Sequence, residues 1–169
     1  MILSIDASFT SSGVSLHSDD GTLKRFICIK EGGSVYKSNA ELHQAARRIV
    51  QKLIDFIGSD IGEITTCIVE IPAPNQSGFY LAMLHGWVIS TISRFPSVET
   101  LVTLPPMACN SFIKNKERTK SYIVKYAKEK GWVPDKRINN DIATAVVLTH
   151  CYLASQKGDY KNTVNKFKF

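Results

Sequence analysis

The sequence predicts a mixed α/β domain on a five-stranded sheet, a three-strand meander followed by parallel strands, with helices flanking it. Three observations lead there. Short apolar runs separated by tight turns open the chain, the pattern of antiparallel strands. Beyond residue 39, stretches with apolar residues at helical spacing alternate with apolar runs of strand length, as in units that join parallel strands through a helix. The run Ile64 to Ile71 is β-branched and nearly continuous, as a central parallel strand covered on both faces must be.

Taken in order, Ile2 to Ile5 is the first strand, Gly13 to His17 the second and Leu23 to Ile29 the third. Asp20-Gly21 supplies the hairpin turn between the last two, with glycine where the backbone needs a positive φ. From Asn39 to Ile57, Leu42, Ala45, Ala46, Ile49, Leu53 and Phe56 fall on one helical stripe, with Arg47, Arg48 and Lys52 off it, and Gly58 ends the helix. Ile64 to Ile71 is the fourth strand, stopped by Pro72 and Pro74. After the loop Asn75-Gln76-Ser77-Gly78 a helix covers Phe79 to Ser93, and Val98 to Leu104 is the fifth strand. Pro105-Pro106 opens a polar, basic stretch; Tyr122 to Lys130 is helical up to Gly131, and a last helix spans Asn140 to Ser155. Residues 1–156 form one domain, and 157–169 a basic C-terminal tail read as a flexible arm.

At 169 residues a single core suffices and no second catalytic lobe fits. That length excludes an actin-like or sugar-kinase architecture, which shares the opening strand, acid and turn. The formal charge of +6 favours a polyanionic partner. Cys28, Cys67, Cys109 and Cys151 are scattered, without the paired spacing of a zinc site or disulfide framework, and read as buried thiols in a reducing compartment. With no signal segment and no apolar run near the roughly 20 residues of a membrane span, a cytoplasmic, DNA-associated setting is expected.

Three acids border hydrophobic runs far apart in sequence: Asp6 after Met-Ile-Leu-Ser-Ile, Glu70 after Cys-Ile-Val, and Asp141 before Ile-Ala-Thr-Ala-Val-Val-Leu. A desolvated carboxylate must pair, protonate or bind metal. Three that converge make a divalent-metal site. Each also has a plainer reading. Asp6 precedes turn chemistry, Glu70 can be an edge acid, and Asp141 can cap its helix, a role compatible with presenting an oxygen outward. Glu70 is the hardest to set aside, because a central parallel strand leaves it at the sheet's carboxyl end, where open α/β folds bind ligands.

The element order βββαβαβαα is that of a ribonuclease H-like domain. Asp6 with Gly13 in Ile-Asp-Ala-Ser-Phe-Thr-Ser-Ser-Gly-Val-Ser, the strand-terminal Glu70, and the closing Asp-Ile-Ala-Thr-Ala-Val-Val-Leu-Thr-His-Cys-Tyr together resemble the RuvC-type Holliday junction resolvases, in the form of the short bacteriophage members. The resemblance covers residues 1 to 155. It implies a homodimeric, Mg²⁺-dependent endonuclease of DNA recombination and repair that cuts four-way junctions, with Mn²⁺ able to substitute, and with Asp6, Glu70 and Asp141 as metal ligands. Two ions about 3.5–4 Å apart supply a nucleophilic water and a stabilised leaving oxygen in such a hydrolysis.

The chain departs from that pattern in two places. Where relatives carry a fourth acid or a His one helical turn before the last Asp, this chain has Ile138, leaving Asn139, Asn140 or Asp135 as possible donors. The basic residue expected after the fifth strand is replaced by Asn110, so Lys114, Lys116 or Lys120 must stand in, with Lys120 taken as the catalytic cation. Cations for the DNA backbone cluster before Asp141: Lys114, Lys116, Arg118, Lys120, Lys136 and Arg137. A solvated helix face is the plainer reading of that run. Phe79 and Tyr80 are the aromatics to stack on bases at the branch point, with core packing the alternative for one of them. Mid-helix Gly86 marks a close helix contact, and the apolar surface with Leu81, Leu84 and Val88 is the expected dimer interface, with covering the sheet the plainer reading of the same residues. A non-catalytic branched-DNA-binding module with a decayed site is the alternative function.

Overall fold

A computed structural model of the chain describes residues 1–31, 38–71, 78–114, 119–134, 138–160 and 165–168. Its strands are β1 (Ile2–Asp6), β2 (Ser11–His17), β3 (Leu23–Lys30), β4 (Thr66–Glu70), β5 (Thr100–Leu104) and β6 (Asn165–Lys168). Its helices are α1 (Asn39–Ile57), α2 (Phe79–Ile92), α3 (Met107–Phe112), α4 (Lys120–Glu129) and α5 (Asn140–Gln156), with a 3₁₀ turn at Gly58–Gly62. The sheet order is β3-β2-β1-β4-β5-β6. β4 runs parallel to β1 and β5, and the remaining neighbours are antiparallel.

The sheet therefore has six strands rather than five. The additional one comes from the basic tail, whose residues Asn165–Lys168 pair backbone to backbone with Thr100–Thr103 of β5. All four are exposed, so no burial pattern marked them as a strand; they form one because β5 would otherwise present an unpaired edge. α3 is the second addition. It follows Pro105-Pro106 at once and is only six residues long, too short for a helical stripe to register.

The alternation of strand side chains divides the core into two layers. Leu3 and Ile5 of β1, Val14 and Leu16 of β2, and Cys67 and Val69 of β4 face α1 and α2, meeting Leu42, Ala45, Ile49 and Leu53 of the first and Leu84 and Val88 of the second. The opposite residues, Ile2, Ile68, Val102 and Leu104, face α3, α4 and α5. α5 lies directly on β1 and β2 and is buried from Ile142 to Thr149. Halfway along it, the hydroxyls of Ser4 and Thr149 hydrogen-bond at 2.6 Å, so the polar pair in this layer is satisfied.

Candidate active site

Strand register sets the first two acids level with each other. Ile2 lies beside Thr66 and Ile5 beside Val69 in the parallel pair β1–β4, so the next step brings Asp6 beside Glu70 at the carboxyl ends of both strands. The period of two then gives both the face of Ile2, Ser4 and Ile68, the side covered by α5. Asp6 is 8% exposed and Glu70 half-buried.

The third acid arrives from above. Asp6 pairs with Gly13 across β1–β2, and a Cβ placed on Gly13 would stand 2.0 Å from the carbonyl oxygen of Asp141. The first turn of α5 thus rests its backbone on the sheet beside Asp6, an approach that only glycine allows. The tight turn leading to Gly13 is braced: the Ser12 hydroxyl donates to the Ser8 carbonyl at 2.7 Å and accepts the Ser8 N–H at 3.0 Å.

Beside α5, in the same layer, lies α3. Its Cys109 thiol, fully buried, is pushed well above its ordinary pKa by burial first, then by the negative charges of Glu70 and Asp6 among others. From the other layer, burial lowers the pKa of His85 of α2, while hydrogen bonds to the backbone of Leu81 and Glu70 pull against that shift. Its Nδ1 lies 2.7 Å from the Leu81 carbonyl. Neither residue was assigned a place near the acids in the sequence, because nothing in it says that α3 exists or that α2 reaches the end of β4.

Asp141 is not the helix cap. Asn139 is: its amide oxygen accepts the Ile142 N–H at 2.9 Å, and its amide nitrogen lies 3.3 Å from Asp141 Oδ2. An asparagine three positions before the first apolar helix residue is itself a cap signal, and Asp141 stands in the first turn, where a carboxylate suits the helix dipole. The Asn139 oxygen is therefore committed to the backbone rather than available as the missing fourth donor. Ile138, also weighed against that position, is buried in the α5 core layer. Asp135 lies outside the described residues.

Among the described residues, no group of three or more His, Cys, Asp or Glu side chains is gathered closely enough to hold a metal ion as it stands. The donor set nonetheless suits a hard cation: carboxylates from β1, β4 and α5 at one end of the sheet, with oxygen donors only. Of the cations assigned to DNA, Lys114 is exposed in the turn after α3 and Lys120 opens α4. Lys116, Arg118, Lys136, Arg137 and the Lys120 side chain lie outside the described residues. Phe79 is 77% and Tyr80 43% exposed at the start of α2, edge to face with one another, and the Tyr80 hydroxyl donates to Asn39 Oδ1 at 2.9 Å. Neither is taken into the core.

This architecture is shared with a known structure. The chain superposes on RuvC from Thermus thermophilus with a TM-score of 0.65 over 98% of this chain and 99% of that one, at 14% identity. The fold is RuvC-like. A second structure, T. thermophilus RuvC in complex with Holliday junction substrate, gives a TM-score of 0.63 over 95% of this chain and 97% of that one, again at 14% identity. RuvC has a ribonuclease H-like fold, and the mixed sheet flanked by helices described above is of that class. No family model matches the sequence. No curated protein matches it either. Among the described residues no helix is long and apolar enough to cross a membrane.

Proposed function

We propose that this chain is a metal-dependent endonuclease that cuts branched DNA, four-way junctions foremost, inside the cell. One observation carries the reading: Asp6 and Glu70 end adjacent parallel strands in register, with Asp141 seated over Gly13 beside them, in a fold like that of RuvC. Divalent ions bound there, Mg²⁺ or Mn²⁺, supply a polarised water and positive charge to offset the leaving oxygen of a phosphodiester. Asp6, Glu70 and Asp141 are the residues to hold them. Lys114, Lys120 and the neighbouring basic positions Lys116, Arg118, Lys136 and Arg137 neutralise phosphates, Lys120 at the scissile one, and Phe79 offers a ring for a base to stack on. The test replaces each acid by its amide. Asp6→Asn, Glu70→Gln and Asp141→Asn should each lose at least about 100-fold in junction cleavage, beyond what losing an outer-shell partner alone costs, while binding the junction as well as before or better. A fully active Asp6→Asn protein overturns the assignment.

A second reading has an observation of its own. The buried Ile138 supplies no ligand, and a chain that binds junctions through its basic face without cutting them has that shortage as its explanation. Junction binding by the unaltered protein with no cleavage in Mg²⁺ or Mn²⁺ selects it.

We further propose that the unit is a twofold homodimer joined through α2. Leu84 and Val88, counted toward that surface from the sequence, are buried inside the monomer, whereas Ala82, Gly86, Trp87 and Ser90 are exposed. A Cβ on Gly86 would meet nothing within 4 Å, so no contact within the described chain explains that glycine, whereas a partner helix packed close against it does. Sedimentation of Gly86→Leu should give a lighter species than the unaltered protein; equal masses remove α2 from the interface.

A further inference from the structure

Asn139 does more than cap a helix. Because its amide oxygen accepts the Ile142 N–H, its amide nitrogen must face the other way, which settles the orientation of an otherwise ambiguous side chain. That nitrogen stands 2.9 Å from Cys28 Sγ, 3.2 Å from Ser11 Oγ and 3.3 Å from Asp141 Oδ2. Ser11 Oγ and Cys28 Sγ are themselves 3.2 Å apart, and Cys28 pairs with Gly13, the residue under Asp141. Two amide protons thus face three acceptors, two on the sheet and one on the acid.

We propose that Asn139 is a positioning residue for Asp141, fastening the acid's carboxylate to β2 and β3 before any cation arrives; this rests on the nuclease reading above. The anchors are on the sheet, where Ser11 and Cys28 sit in paired strands and move little. The acid is on a helix that joins the sheet late in the sequence, through a turn with one close backbone contact. An amide donating to one carboxylate oxygen fixes the side chain's rotation, the commonest service a neighbour performs for a metal-holding group. A cap alone would need only the oxygen, and serine would provide it equally well.

That difference gives the experiment. Asn139→Ser keeps a capping oxygen and removes the amide donor. In the full-length protein without DNA, its melting temperature should stay within about 3 °C of the unaltered chain, while Mn²⁺ affinity measured by calorimetry falls about tenfold. Asn139→Thr, another capping hydroxyl without an amide donor, gives the same reading should the serine variant prove unstable. Added to Asp141→Asn, Asn139→Ser should cause no further loss of affinity, since a residue that acts through another has no separate effect once that other is gone. An undiminished Mn²⁺ affinity in Asn139→Ser, or a full additional loss in the double variant, overturns the positioning role. If Asp141→Asn itself binds Mn²⁺ and cleaves as the unaltered protein does, the nuclease site fails as well. Loss in Asp141→Asn with none in Asn139→Ser leaves the nuclease site standing and removes only Asn139.

Discussion

At its beginning α5 rests on the sheet through the backbone of Asp141 against Gly13; two-thirds of the way along, it rests through the side chains of His150 and Leu153 against Gly21. The two places lie at opposite ends of the same sheet layer, roughly 13 Å apart by strand rise. Around Gly13 the neighbours are carboxylates, an amide and hydroxyls. Around Gly21 they are rings: His150 stacks on Trp132 with centroids 3.7 Å apart, His17 meets His150 edge-on, and a cavity of about 410 Å³ opens between the β2–β3 turn and Trp132. His17 bridges the Gly21 carbonyl and the Ser15 hydroxyl at 3.0 Å each. Burial pushes the pKa of both imidazoles down to about 4, helped at His150 by its neighbour His17, so both are neutral at neutral pH. One end gathers groups that call for a cation; the other keeps its two imidazoles uncharged. On the proposed function, chemistry belongs to the first and acid sensitivity to the second.

The sharpest way to break this comparison is at Gly13. An added methyl would stand 2.0 Å from the Asp141 carbonyl oxygen and 2.6 Å from the Ile142 nitrogen, both backbone atoms with little freedom to retreat. Gly13→Ala should therefore cost on the order of 4 kcal/mol or more in urea unfolding, and abolish cleavage. A variant of near-normal stability would mean that α5 can lift from the sheet without harm.

Next in size is the acid response of the far end. His17 has its folded pKa at about 4 against 6.5 for an unburied imidazole, so as pH falls below 6.5 the unfolded chain takes up the proton first. The stabilisation is complete above that value and declines as pH drops towards 4, by roughly 2–3 kcal/mol for this residue. Unfolding free energies of the unaltered protein and of His17→Asn, measured between pH 7 and 4, should diverge in slope; parallel curves would show that His17 is not what titrates.

The smallest effect is expected at Gly21. There φ is +91°, which an L-residue resists, and the added methyl would meet the end of the Leu153 side chain at 2.7 Å, an atom that can swing aside. Gly21→Ala should cost about 1–2 kcal/mol and leave cleavage unchanged. A loss equal to that at Gly13 would erase the distinction between backbone and side-chain contact.

What the sequence made legible follows the same physics. Asp6 and Glu70 stand out because each ends an apolar run, and a parallel pair of such strands has only one register that buries both faces. The bounds of α1 and the Asp20-Gly21 turn were readable because one has a long periodic stripe and the other a φ that only glycine supplies cheaply. Asn139 and Asp141 were harder to separate, since both residue types cap helices and only the hydrogen bond to Ile142 decides between them. β6 was hidden for the opposite reason: its four residues contribute backbone pairing and almost no burial, so Lys-Phe-Lys reads as a charged tail. The surface of α2 was misjudged because the helix is apolar nearly all round, which leaves the side that faces the core undetermined until α1 is set against it.

The seat of Asp141 on Gly13 also fixes when the acids can meet. Asp6 and Gly13 leave the ribosome well before α5, whose contacts with β1 and β2 join residues more than 120 positions apart. Long-range closures of this kind come late in folding. A nascent chain can complete the meander and add β4, and still carry only two of the three acids. The constellation assembles only once synthesis has delivered α5, so on the proposed function a polypeptide that stops short of it has no capacity to cut DNA.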